Sequence, residues 1–160
     1  MKKKLTLALV CAAVISANLF AAHPAKHGAK AGEWSQDYDA VCTLAKSNSL
    51  PILVNFTGSD WCFWCKLMDR KVFGTKAWKK WADGKIALAF IDFPSDKSLV
   101  PKEYVNRNKA LAEKYSVRGY PTYILFASDG ERILGRLGAS RDATPESFIA
   151  QIEALLPKEE

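Results

Sequence analysis

The chain has 160 residues, 49% of them hydrophobic and 25% charged, with a formal net charge of +6. That is the length of one domain able to bury a real core without disulfide staples, and the apolar share excludes a disordered chain. Of the 23 basic residues, Lys2, Lys3 and Lys4 precede an apolar leader; without them 20 stand against 17 acidic residues, too mild an excess for nucleic acid.

The leader is an uncharged stretch from Leu5 to Ala22, which behind Met1-Lys2-Lys3-Lys4 has the charged-then-greasy pattern of a secretory signal. A cut after Ala21 or Ala22 fits, although Leu19 or Phe20 at the minus-three position departs from the usual small residue. The alternative is an uncleaved anchor facing the periplasm, since eighteen residues can just span; Thr6, Ser16 and Asn18 oppose it. Cys11 comes too early for a lipoprotein site. Residues 23–33, rich in Ala, Lys, Gly and His without a period, read as a flexible lead-in, with His23 and His27 solvated. Pro24 and Gly28 oppose the helix that would let those two histidines share a metal.

The domain is expected over 34–157. Trp34, Tyr38, Val41, Cys42 and Ala45 repeat as a helix face, predicting a helix from Ser35 to about Ser47 that Asn48 and Pro51 stop. Ile52 to Phe56 reads as a buried strand. A helix then starts near Cys62, turns Leu67, Met68 and Val72 inward and breaks at Gly74-Thr75, before a short piece carrying Trp78 and Trp81 as packing residues. The basic run Lys66, Arg70, Lys71, Lys76, Lys79, Lys80 and Lys85 is the pattern of a solvated helix face.

Asp83-Gly84 makes a turn, and Ile86 to Ile91 is continuously apolar, as in a central strand covered on both faces. Pro94 to Pro101 is a loop, and Tyr104, Leu111 and Tyr115 mark a helix over about 102–115. Thr122 to Ala127 and Glu131 to Leu137 flank Ser128-Asp129-Gly130, a hairpin signal. Thr144 as N-cap and Pro145 as first residue open a last helix with Phe148, Ile149, Ile152, Leu155 and Leu156 inward. The order predicts an α/β fold around a mixed sheet.

The chemistry lies in Trp61-Cys62-Phe63-Trp64-Cys65-Lys66. Two thiols fall where a buried strand turns into a helix, so unpaired N–H groups and the positive dipole end favour thiolate at Cys62. One helical turn behind, Cys65 can attack a mixed disulfide and release the partner. Cys42, the odd thiol of the three beyond the leader, is expected as a small core hydrophobe. Tyr120-Pro121-Thr122 enters the third of these strands with a proline that marks an edge, a bulge, a cis bond or an ordinary strand start. If that strand lies beside Ile52 to Phe56, Pro121 comes near Cys62, and a cis bond would free the Tyr120 backbone to pair with an incoming peptide.

Ile52-Leu53-Val54-Asn55-Phe56, the Cys62/Cys65 motif and Val117-Arg118-Gly119-Tyr120-Pro121-Thr122, in this order, resemble the thioredoxin superfamily over about 34–156. Thr57-Gly58-Ser59-Asp60 and Lys71-Val72-Phe73 look closest to its secreted, periplasmic reductase branch. The resemblance implies a thioredoxin fold, a central mixed β-sheet flanked by helices on both faces. It implies Cys62 as exposed nucleophile, Cys65 as buried resolving thiol and Pro121 as a cis proline shaping a peptide groove with Trp61, Phe63, Trp64 and Tyr120. It implies no cofactor and no metal. Its partners would be disulfide-containing exported proteins and a membrane electron donor of the DsbD type.

Two departures matter. The superfamily's buried carboxylate beneath the second cysteine stands here as Asn55, which cannot take a proton, so Lys66, Asp60 or water must assist Cys65. Phe63-Trp64 replaces Gly-Pro and supplies none of the thiolate stabilisation that a His between the cysteines gives exported oxidants, which points to a reducing poise. The chain is too short for the helical insertion of those oxidants or the dimerisation domain of secreted isomerases, so a monomeric reductase is expected. An oxidase or isomerase, and a noncatalytic module whose Cys62 and Cys65 hold a metal, are the rival readings.

Overall fold

The computed structural model describes residues 24–157. The leader, Cys11 and His23 lie outside the described residues. No helix among the described residues is long and apolar enough to cross a membrane.

Five strands form one mixed sheet. They are β1 (Trp34–Ser35), β2 (Ile52–Thr57), β3 (Ala87–Asp92), β4 (Thr122–Phe126) and β5 (Ile133–Leu137), in the order β1-β3-β2-β4-β5. The first three run parallel, β4 lies antiparallel to β2, and β5 antiparallel to β4. β2 and β3 are apolar along most of their length, with Asn55 and Asp92 as buried exceptions, because both their faces are covered. Antiparallel pairing of Phe56 with Thr122 sets the start of β4 beside the end of β2. The strand that Pro121 enters therefore lies beside Ile52 to Phe56, the condition set for bringing Pro121 toward the cysteine turn.

Strand alternation sorts the core into two layers. On one face Ile52, Val54, Phe56, Ala89, Ile91, Ile124 and Phe126 meet α1 (Tyr38–Asn48) and α4 (Lys102–Lys114) through Val41, Ala45 and Leu111. On the other, Leu53, Leu88, Tyr123 and Leu125 meet α2 (Phe63–Met68), α3 (Lys76–Ala82) and α5 (Pro145–Leu155) through Met68, Trp78, Phe148 and Ile152. Each large apolar side chain so buried contributes roughly 1.5–3 kcal/mol. The last helix begins as the sequence predicts: Thr144 and Ser147 form a reciprocal capping box with Pro145 in the first turn.

Three elements differ from expectation. Trp34 and Ser35 belong to a strand, and α1 starts at Tyr38 with Asp37 as its cap. Trp34 then packs on the opposite layer, edge-on to Phe73 and Phe90. Two residues of strand are too few for a period, and the pairing partner Leu88 lies far along the chain. Residues 24–33 are not a free lead-in. Ala25 bridges Ser35, and the N–H of Gly32 donates to the Ile86 carbonyl at 2.8 Å. Gly32 has φ +79, and a Cβ there would stand 2.7 Å from the Asp83 Cα, so only glycine fits. His27, exposed as expected, has Nδ1 3.1 Å from the Tyr104 hydroxyl. Finally, α2 passes into a π-turn over Asp69–Phe73 before Gly74 ends it. A wider turn has no signature in a 3.6-residue period.

Cys42 is half-buried against the α1 layer, and burial pushes its thiol up. That is the environment of an inert packing thiol.

Candidate active site

Parallel β2 and β3 end together, with Thr57 opposite Asp92, and the chain leaves β2 through Gly58, Ser59 and Asp60 into the cysteine turn. Chain ends of parallel strands open a crevice that side chains from several loops can line. Cys62 caps α2 and Cys65 lies in its first turn; their sulfurs are bonded, with Cα atoms 5.3 Å apart. The Cys65 N–H points at the Cys62 sulfur at 3.1 Å. One orphan helix donor is thereby aimed at the sulfur, where negative charge would develop on reduction.

Each anticipated residue can be placed. Trp61 is 50% exposed, donates from Nε1 to the Phe93 carbonyl at 2.9 Å and stands edge-on to Tyr120 at 5.8 Å. Tyr120 stacks on Phe93, and the Tyr120-Pro121 bond is cis. Phe63 is 63% exposed, and Trp64 lies beneath the Arg141 guanidinium, 5.9 Å from its ring centre. Trp61, Phe63 and Trp64 are three of the five large hydrophobic side chains exposed among the described residues, so the apolar surface concentrates around the disulfide. A patch of this kind marks a contact surface.

The division into an exposed and a buried cysteine does not hold in the disulfide form. Cys62 is 5% exposed and Cys65 7%. Asp60 also departs from expectation. Its two carboxylate oxygens accept the N–H groups of Asp96 and Ser95 at 2.9 Å each, which hold its carboxyl below the usual range. A carboxylate so satisfied pins the 93–96 loop and is a poor proton acceptor. Lys66 donates to the Asp60 carbonyl at 2.8 Å and fastens the same turn.

The missed residue is Asp92. It is 4% exposed and takes both hydrogen bonds of Ser59, from N–H at 2.9 Å and from Oγ at 2.6 Å. Burial pushes its carboxyl up, and the Ser59 donors oppose the shift. Asn108 supports it, donating to its carbonyl at 3.2 Å. Asp92 ends the otherwise apolar β3 (Ala87–Asp92), and an acid closing such a run at the carboxyl end of a parallel pair is the available signal. Asn55 is buried, and its Oδ1 has no hydrogen-bond partner. Alternation puts Asn55, Thr57, Phe90 and Asp92 on the sheet face that α2 covers. Together with Cys65 and Ser59 they line a cleft of about 610 Å³ behind the disulfide.

Comparison with known proteins agrees with this geometry. Residues 38–154 match the family described as a thioredoxin-like domain. The chain is 31% identical over 106 residues to the disulfide bond reductase DsbH of Chlamydia pneumoniae, covering 66% of this chain and 62% of that protein. It is 28% identical over 111 residues to the thioredoxin-related protein DsbJ of the same organism, covering 69% of this chain and 31% of that protein. The chain thus spans less than two thirds of either. A solved structure of a DsbH oxidoreductase superposes with a TM-score of 0.69 at 22% identity, covering 97% of this chain and 94% of that one, a likeness of fold. A bonded cysteine pair with two residues between them at a helix start, a neighbouring strand led by Pro121 and a match over most of the chain have one common source: the protein belongs to the thioredoxin-like family.

Proposed function

We propose that the chain is a thiol-disulfide oxidoreductase that reduces disulfides of exported proteins in the periplasm. The observation that carries this reading is the Cys62–Cys65 bond at the head of α2, with a helix N–H on the first sulfur and apolar side chains around it. In the reduced protein Cys62 attacks a client disulfide and forms a mixed disulfide. Cys65 then attacks the Cys62 sulfur, expels the client thiolate and restores the bond seen here. Cys62 takes the first role because the helix N-terminus faces its sulfur.

The cis Tyr120-Pro121 segment beside β2, with Trp61, Phe63 and Trp64, forms the client surface. The reducing direction is supported by Phe63-Trp64 between the cysteines, where no cation stabilises the thiolate, and by the name of the Chlamydia pneumoniae relative. The periplasm is supported by the leader over residues 1–22. An oxidising compartment would strand the protein as its disulfide, so a membrane donor of the DsbD type recharges it.

The test is the equilibrium of the purified protein with glutathione, read with insulin-disulfide reduction. A potential at the reducing end of the superfamily together with insulin precipitation is expected; the potential of a dedicated disulfide donor overturns the direction. In Cys65→Ser the mixed disulfide cannot resolve, so clients and donor are held on Cys62 for identification by mass spectrometry.

A further inference from the structure

Closing the Cys62–Cys65 bond requires the Cys65 thiol to lose a proton, and the position is largely buried, 7% exposed in the disulfide form. The groups that could receive the proton share the cleft behind the disulfide, whose ionisable members are Lys26, Asp60, Lys66, Asp69 and Asp92. Asp60 and Asp92 each accept two hydrogen bonds, but Asp60 is part-exposed and its backbone N–H partners hold its carboxyl low, whereas burial pushes Asp92 up; Lys66 is engaged on the Asp60 carbonyl. Lys26 is an exposed cationic side chain, which has donors and no acceptor. Asp69 is exposed over much of its surface; partial burial pushes its carboxyl up, but the cations Lys79 and Arg70 oppose that shift, and its exposure leaves it to bulk water. Asp92 alone is a buried carboxyl on the sheet face beneath α2.

We propose that Asp92 is the proton acceptor for Cys65, with the cleft and the unpartnered Asn55 Oδ1 holding the water that connects them. A cleft of about 610 Å³ has room for several waters, each of which occupies about 30 Å³ in the liquid. The proton leaves the Cys65 sulfur through water to an Asp92 oxygen. The electron pair left on that sulfur forms the bond to the Cys62 sulfur, and the pair of the broken Cys62–client bond departs with the client sulfur, which takes its proton from solvent. In the reverse direction Asp92 returns the proton to Cys65. Burial raises the basicity of Asp92, and the Ser59 hydroxyl and N–H oppose that shift by favouring its carboxylate form. This inference rests on the dithiol cycle proposed above but not on its direction, because exchange with glutathione moves the same proton either way.

The experiment follows the two half-steps separately in the full chain, using oxidised glutathione and rapid acid quench across pH. Mixed-disulfide formation is measured in Cys65→Ser, and its resolution in the protein with both cysteines. Asp92→Asn preserves the shape and an acceptor for the Ser59 N–H but takes no proton. It should slow resolution at least about tenfold near neutral pH and erase the limb of the pH profile that reports a carboxyl ionising. Formation should change by less than about twofold, and Asp69→Asn should leave both steps within about twofold. Proportional loss in both steps would mean that Asp92 serves only to hold the Ser59 turn, and overturns the proposal. So does an unchanged resolution profile, or the same effect in Asp69→Asn. If Asp92→Asn does not fold, Ser59→Ala carries the test: losing a donor that favours the carboxylate moves the carboxyl limb to higher pH, and a limb that stays in place refutes it. A failed reductase reading appears instead in the glutathione equilibrium.

Discussion

Phe73 ends the π-turn that carries the cysteine helix into the core, and Phe73→Ala probes how firmly that helix is held. Its ring is 5% exposed and meets Trp34 at 5.3 Å, Trp78 at 5.0 Å, Tyr123 at 5.3 Å and Phe148 at 5.3 Å, all edge-on. Truncation of a buried Phe costs about 3–5 kcal/mol in lost transfer energy and cavity. Edge-on aromatic pairs add about 0.5–1.5 kcal/mol each, although four pairs sharing one ring do not add independently. We expect a loss of about 4 kcal/mol, a large share of the roughly 5–15 kcal/mol that holds a domain together. With a urea slope of about 2 kcal/mol per molar, the unfolding midpoint falls by about 2 M. Phe73→Leu, which keeps part of the volume, should lose about half as much. Urea titration followed by tryptophan fluorescence and by far-UV circular dichroism measures both. A loss below about 1.5 kcal/mol for the alanine variant would show that the ring cluster does not anchor α2, and the packing argument would fail.

The other outcomes concern the site and its supports. Phe63→Ala removes the most exposed ring of the apolar rim, so KM for peptide disulfides should rise about threefold to tenfold while stability moves by less than about 0.5 kcal/mol; steady-state kinetics and a melt separate the two. Gly58→Ala places a Cβ against the Trp61 indole, which must swing away from the Phe93 carbonyl and Tyr120. A destabilisation of about 1–3 kcal/mol with loss of the Trp61 fluorescence signature is expected, and wild-type values for both would sink the assignment. Asp60→Asn should narrow the pH dependence of stability. The folded carboxyl titrates below its ordinary value, so its contribution is complete above about pH 4 and lost as pH falls through the folded value. The urea midpoints of wild type and variant should therefore differ near neutral pH and converge under acid; a gap that persists there contradicts the bonds from Ser95 and Asp96.

Local signals announced much of this molecule. The largely apolar run at Ile52 to Phe56 and the continuous one at Ile86 to Ile91, the Thr144-Pro145 start and the Ser128-Asp129-Gly130 turn each depend on neighbours a few residues away, so they can be read in order along the chain. Cys62 and Cys65 were equally plain, because a two-residue spacing at a strand-to-helix turn is itself the geometry of exchange. What the chain alone could not settle involves partners distant in sequence. Trp34 becomes a strand only because Leu88 lies beside it, and residues 24–33 are fastened by Ile86 and Ser35. Asp60 reads along the chain as an acid near the cysteines, but the N–H groups of Ser95 and Asp96 occupy its carboxylate. Asp92 reached the cleft through the register of β2 against β3. A residue's propensity is fixed by its own chain neighbours, whereas its ionisation and exposure follow from what the fold packs around it, and for these groups that meant residues about 30 to 60 positions away.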